Sequence, residues 1–234
     1  MTFTADTSQA RTLSQGLQAA RTAEPMGAGT VTWHYGGRTD GLVGTGATSA
    51  ERLMGYGTAL VLTAVIVGAD MMRGSPVAAT WWQIGILAFF AYDIAGGAVA
   101  NMLNSCKRLY HSPRKPTEGA LLGALKDARV FTGIHVHPII IAATLGGSVA
   151  NSVIWYLALQ VAVWLTLATP LYLRRAAATA LVMVAILVHQ IWLPLGMGLE
   201  WVIPALFIKM VLGHAVQEET YAAPSQMASA QAAR

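Results

Sequence analysis

Apolar residues in this chain gather into long uninterrupted runs, and polar residues gather in the short stretches between them. A helix needs roughly 20 residues to cross the hydrocarbon core of a bilayer, and that length sorts the runs. The first extends from Leu53 to about Met72. The second runs from about Val77 to Ser105, with Trp81 and Trp82 as interfacial anchors near its start. Residues 138 to 173 carry no charge and exceed one span. Dividing them near Asn151-Ser152 gives a third span to about Ala150 and a fourth from Val153 to Leu173. A fifth covers Ala176 to Leu195 and ends in the turn Pro194-Leu195-Gly196-Met197-Gly198. The sixth, Leu199 to Gly213, is short. The pattern predicts an all-α membrane bundle of six transmembrane helices within residues 51–216.

Between the second and third spans, Leu121, Leu125, Ala128 and Phe131 recur at helical spacing, while Lys126, Asp127 and Arg129 fall elsewhere. That is the pattern of a short amphipathic helix, over Thr117 to Phe131, lying on the membrane surface. Residues 1–50, rich in Thr, Ala, Gly and Ser, are expected to form a mostly disordered cytoplasmic arm. Val31-Thr32-Trp33-His34-Tyr35 forms one short aromatic island within it, suited to the membrane surface. Residues 217–234 are expected to form a flexible cytoplasmic tail.

Charge orients the bundle. Arg11, Arg21, Arg38 and Arg52 precede the first span. Lys107, Arg108, Arg114, Lys115, Lys126 and Arg129 lie between the second and third, and Arg174 and Arg175 between the fourth and fifth. The alternate loops carry only Arg73. Basic residues collect on the cytoplasmic side, so a cell-membrane protein with both termini cytoplasmic is expected. The first fifty residues hold several charges and no continuous apolar core, unlike a cleaved signal peptide.

Composition agrees: the 234 residues are 55% hydrophobic and only 11% charged, with a mean hydropathy of +0.51. The formal net charge of +4 is spread over loops between apolar spans and forms no stripe, so no nucleic-acid partner is expected. Cys106 is the sole cysteine, which excludes an intrachain disulfide and a cysteine metal cage. No nucleotide loop, nucleophile elbow or zinc-protease signature is present. The two halves show no repeat of the kind found in inverted-repeat transporters.

Candidate chemistry concentrates between Asp93 and Pro138. Asp93 falls inside the second span, where a charged residue costs about 2.5–3.5 kcal/mol on insertion scales and normally faces the bundle interior. Asp93, Gly97, Asn101 and Asn104 follow spacings that place them on one helix face, and Gly96-Gly97 allows another helix to approach closely. His135-Val136-His137 enters the third span ahead of Pro138, which disfavours helix at His137. An extended segment would set both imidazoles on one side, fit for a metal, a shared proton or merely an interface. Lys107, Tyr110 and His111, with Arg108 and Arg114, could clamp an anionic group. Lys209, near the end of the sixth span, is expected to snorkel to the interface, with a role as counter-ion to Asp93 as the alternative. A looser outer set comprises Asp70, His189, Gln190 and Glu200.

These residues fit three classes of function. The first is an integral membrane enzyme acting on a lipophilic small molecule, a lipid, an isoprenoid or a quinone-like compound. Asp93, His135 and His137 would be its catalytic residues, and Asn101, Asn104, Lys107, Tyr110 and His111 would bind substrate. The second is a proton-coupled transporter with Asp93 as relay. The third is a haem- or quinone-binding redox subunit. The candidate cofactors are a transition metal or haem, with His135, His137 and His214 as ligands, since His214 is the one histidine at matching depth on another span. Expected partners are membrane lipids, a lipophilic substrate, and a homo-oligomer or membrane complex.

Overall fold

A computed structural model of the chain describes residues 38–74, 76–112, 114 and 118–217. The aromatic island at 31–35, the greater part of the arm and all but the first residue of the tail lie outside these residues. Five helical stretches are long and apolar enough to cross a membrane: Ser49–Met71 (α1), Trp81–Ala100 (α2), Ala128–Leu145, Val149–Ala168 (α7) and Leu171–Ile191 (α8). A shorter apolar helix, Val202–His214 (α9), follows. The third stretch is broken into Ala128–Gly133 (α5) and His137–Leu145 (α6). Two short helices precede it, Asn104–His111 (α3) and Ala120–Leu125 (α4).

Helix ends explain these bounds. At the start of α1 the Thr48 hydroxyl accepts the Glu51 N–H, and the Glu51 carboxylate accepts the Thr48 N–H in return, a capping box. Glu51 also accepts the Ser105 N–H at 3.0 Å and pairs with Arg108 at 3.4 Å, which fastens α1 to α3. Thr80 and Gln83 repeat the capping arrangement at α2, and the Gln83 amide reaches the Thr144 carbonyl at the far end of α6.

Several boundaries differ from the sequence expectation. The turn between the third and fourth spans falls at Gly146-Gly147-Ser148, where Gly146 takes a left-handed conformation (φ 79°). Asn151 and Ser152 lie within the first turn of α7; the Asn151 amide donates to the Pro194 carbonyl instead of marking a loop. The surface helix expected over Thr117 to Phe131 breaks at Lys126-Asp127, with the Asp127 side chain capping α5, and Ala128 and Phe131 turn into the core. Residues 38–48 form a small hairpin, Thr39–Asp40 (β1) antiparallel to Gly44–Thr45 (β2), in place of the end of a disordered arm. Asp40 closes its turn by accepting the Leu42 and Val43 N–H groups, and Val43 is fully buried.

Short α9 forms the middle of the bundle, packed against α2, α5, α7 and α8, while α1 lies outside α2. Val202, Ile203, Leu206, Phe207, Met210 and Val211 of α9 are all buried. A helix apolar on every side belongs in a core, which accounts for its position. Both α2 and α9 contain a π-helical stretch, Ala91–Gly96 and Ile208–His214 respectively. Such stretches insert an extra residue per turn and often occur at functional sites.

Gly96 and Gly97 make the close approaches expected of them. A Cβ on Gly96 would lie 2.9 Å from the Ala59 Cα of α1, and one on Gly97 would lie 2.7 Å from the Lys209 Cε. Gly96→Ala is therefore expected to push α1 and α2 apart and cost about 1–3 kcal/mol. Thermal melting in detergent checks this. Gly68→Ala, where nothing lies within 4 Å, is the control and should melt like the parent.

Candidate functional site

The site forms where α2, the broken third span and α9 meet. Asp93 lies seven residues before Ala100, so at 1.5 Å per residue it is roughly 10 Å inside that end of α2. The Lys209 ammonium donates to Asp93 Oδ2 at 2.8 Å. Lys209 is thus the counter-ion of Asp93 and does not snorkel outward; its side chain is only 5% exposed, whereas that of Asp93 is 35% exposed. The pair is closed on the lysine side and open on the carboxylate side.

A break in a membrane helix must find partners for the carbonyls it frees. Between α5 and α6 three side chains do this. The His135 Nδ1–H donates to the Phe131 carbonyl at 2.5 Å, the Gln160 amide to Thr132 at 3.1 Å, and the Tyr156 hydroxyl to Gly133 at 2.8 Å. Tyr156 and Gln160 lie one turn apart on α7 and so face the break together. Val136 is not extended, with φ −72° and ψ 12°. A tight turn, rather than the expected strand-like segment, brings His135 and His137 together at 4.6 Å between ring centroids. His137 also meets Phe90 edge-on, and its Nε2 stands 3.6 Å from Asp93 Oδ2.

Asp93, His135 and His137 each offer a ligand atom, all within 4.8 Å of one another, and among the described residues they are the one such group. His214 does not join them. Its ring stacks on Phe131 at 4.1 Å and meets Tyr110 at 4.4 Å, so the expected pairing with His135 or His137 about a haem is not formed.

The remaining candidates divide. Asn101 is buried and donates to the Lys209 carbonyl at 3.2 Å, which fixes the π-helical part of α9 against α2. Asn104 lies beyond the end of α2 and opens α3, so the common face runs only through Asp93, Gly97 and Asn101. Lys107 is buried and donates to the Gly213 and Val216 carbonyls, capping the end of α9 where the helix dipole favours a cation. Arg108 pairs with Glu51, and Arg114 donates to the Glu118 carbonyl at 3.0 Å. Burial, and then the charge of Lys107, push His111 down to about 4, so it stays neutral near pH 7. Burial pushes the Tyr110 hydroxyl up. These groups hold the protein together at this end and do not form the expected open anion clamp. The outer set is likewise internal: Asp70 accepts the Val77 and Ala78 N–H groups, Glu200 approaches Arg73 at 3.7 Å, and His189 accepts the Leu195 N–H.

Sequence reasoning passed over Tyr156 and Gln160. Their one-turn spacing within an otherwise apolar span was the available signal. Comparison with protein-family models, with curated proteins and with solved structures returned no match, so function is argued from this geometry alone.

Tyr156→Phe removes the hydroxyl that serves Gly133 and is expected to cost about 1–3 kcal/mol. Tyr172→Phe, at an exposed position on α8, should cost nothing measurable. A melting temperature for Tyr156→Phe equal to that of Tyr172→Phe would show that the break is held by other means.

Proposed function

We propose that the chain is an integral membrane enzyme with six spans and both termini cytoplasmic, acting on a lipophilic small molecule at Asp93, His137 and Lys209. The observation that carries this reading is the asymmetry of the ion pair: Lys209 is enclosed, while Asp93 keeps an accessible carboxylate beside two imidazoles. A purely structural pair gains nothing from leaving one partner open. The route to Asp93 is apolar. Phe89, one turn before it, is 63% exposed, and Val136 and Ile140 flanking His137 are also exposed. A substrate arriving across that surface comes from the lipid phase, which suits a lipid, an isoprenoid or a quinone-like compound.

In this reading Asp93 takes or gives the proton, and the Lys209 ammonium stabilises its anion in a low-dielectric site. His137, with its Nε2 turned toward the carboxylate, passes the proton on, and His135 is held by Phe131 as the next carrier. The transporter reading fares less well, because Asp70, His189 and Glu200 are committed to backbone and loop contacts and supply no relay at the opposite end.

The six-span arrangement is supported by α9, which packs in the centre of the bundle, and by the loop charges. Reporter fusions after Gly74, Ser112, Gly147, Arg175 and Gly198 should alternate outside and inside, beginning outside. A reporter on the outer side after Ser112 would invert the placement of the site.

Asp93→Asn alone strands the buried Lys209 ammonium, so loss of activity could reflect misfolding. The double variant Asp93→Asn with Lys209→Gln keeps a hydrogen-bonded neutral pair. It is expected to be as stable as wild type, yet to lose every change in the lipid extract of expressing cells that wild type produces. An extract that the double variant changes as wild type does, or that wild type leaves unaltered, overturns the enzyme reading.

A further inference from the structure

We infer that Asp93, His135 and His137 bind one divalent transition-metal ion, of the zinc or ferrous-iron class. The inference rests on the site proposed above, takes its two imidazoles as metal ligands in place of proton carriers, and does not depend on which substrate it takes. Zinc bound to imidazole nitrogen and carboxylate oxygen stands about 2.0–2.2 Å from each donor, which sets neighbouring donors roughly 3–3.5 Å apart. The His137 Nε2 and Asp93 Oδ2 are already 3.6 Å apart, and all three ligand atoms fall within 4.8 Å of one another. Small side-chain rotations close the rest.

Three features point to a cation rather than to a self-contained polar cluster. The His137–Asp93 separation is too long for a hydrogen bond, although the ring nitrogen and the carboxylate oxygen approach each other. His135 donates its Nδ1 proton to the Phe131 carbonyl, which leaves Nε2 as a lone-pair donor in a fixed orientation. Ligating histidines are commonly held in this way, by a hydrogen bond from the nitrogen that does not bind metal. His137 Nδ1, buried and without a hydrogen-bond partner among the described residues, leaves that ring the adjustable member of the set.

The donor set selects the ion. Two imidazoles and one carboxylate suit zinc, iron or manganese; magnesium and calcium prefer oxygen ligands alone, and copper(I) prefers sulfur. Three protein ligands leave positions for water or for an oxygen of the substrate on the open side of Asp93. Lys209 works against a dication on the same carboxylate, because like charges at this range repel. Lys209→Gln keeps a donor to Asp93 and removes that repulsion. With that repulsion gone it is expected to tighten metal binding roughly tenfold or more, a response that a merely structural lysine would not give.

The test uses the full chain, purified in detergent through a histidine-free tag, stripped with chelator and titrated with Zn²⁺ or, without oxygen, with Fe²⁺. Bound metal is measured by elemental analysis, and melting temperature is recorded alongside. Wild type should take up one equivalent and melt higher when loaded. His135→Ala and His137→Ala should lose the ion while remaining monodisperse, and His214→Gln, outside the group, should retain it. Greater uptake of one ion over the other assigns the metal. Wild type that binds neither ion, or histidine variants that bind as wild type does, overturns the metal site. A metal-free protein whose lipid product still depends on Asp93 would overturn the metal and keep the enzyme; a metal-loaded protein with no product would do the reverse.

Discussion

The bond from Lys209 to Asp93 is the constraint on which the rest of the bundle depends. An ammonium enclosed among apolar helices is tolerable only beside an opposite charge, so losing Asp93 would leave the buried Lys209 uncompensated. The pair therefore fixes the register of α9 against α2 more firmly than apolar packing could, since leucine surfaces slide at little cost in lipid. Other features of the two helices follow from it. Gly97 lacks a side chain because the Lys209 stem passes there. Asn101 takes the Lys209 carbonyl, a group on the π-helical stretch that carries the lysine. Lys107 takes the carbonyls of Gly213 and Val216, where α9 ends. Three side chains of one segment thus hold a single helix at successive heights.

A second constraint comes from the break between α5 and α6. Unpaired carbonyls are costly in a bilayer, so a span bends only where a neighbour supplies donors. α7 supplies them from Tyr156 and Gln160, and His135 supplies a third from within the turn itself. That last bond links architecture to chemistry. The proton that satisfies Phe131 is the one that fixes the tautomer of His135, so the fold of the break decides which nitrogen keeps a lone pair.

Much of the architecture was legible because lipid imposes a simple rule on sequence: long apolar runs separated by short polar stretches. The apolar runs from Leu53 and from about Val77 foretold α1 and α2, and Gly96-Gly97 foretold the close packing beside Asp93. Boundaries were less legible where charge gave no mark, so the uncharged stretch 138–173 concealed a turn at Gly146. The hairpin at 39–45 escaped because two-residue strands show no alternation, although Asp40-Gly41 was a turn signal. Lys209 was expected to snorkel, with the counter-ion role as the alternative, because its depth was counted back from the end of α9. Its central position and enclosure by α2, α5, α7 and α8 are tertiary facts, which periodicity does not encode. The contact of His135 with His137 was anticipated, but from an extended backbone; the turn that creates it needs donors from α7, remote in sequence.

The two ends of the bundle show why the functional weight falls on one of them. Both carry acids and histidines within apolar surroundings. At the end that carries Asp70, His189 and Glu200 the partners are mainly backbone: Asp70 accepts two loop N–H groups, Glu200 accepts the Gly198 N–H, and His189 accepts the Leu195 N–H. Each of those groups is tied to a feature the fold cannot give up, so a change in its protonation or ligation would cost structure. At the other end Asp93 answers to Lys209 and His137, and His137 to Asp93, Phe90 and His135, all through side chains. Side chains can exchange a proton or admit an ion without unmaking a helix. The backbone around this site is held by Asn101, Lys107, Tyr156 and Gln160, one step back, together with the His135 bond to Phe131. That division leaves His137, whose contacts are to side chains, free to change its chemical state, while the Asp93–Lys209 pair and the His135 bond to Phe131 keep the helices in register.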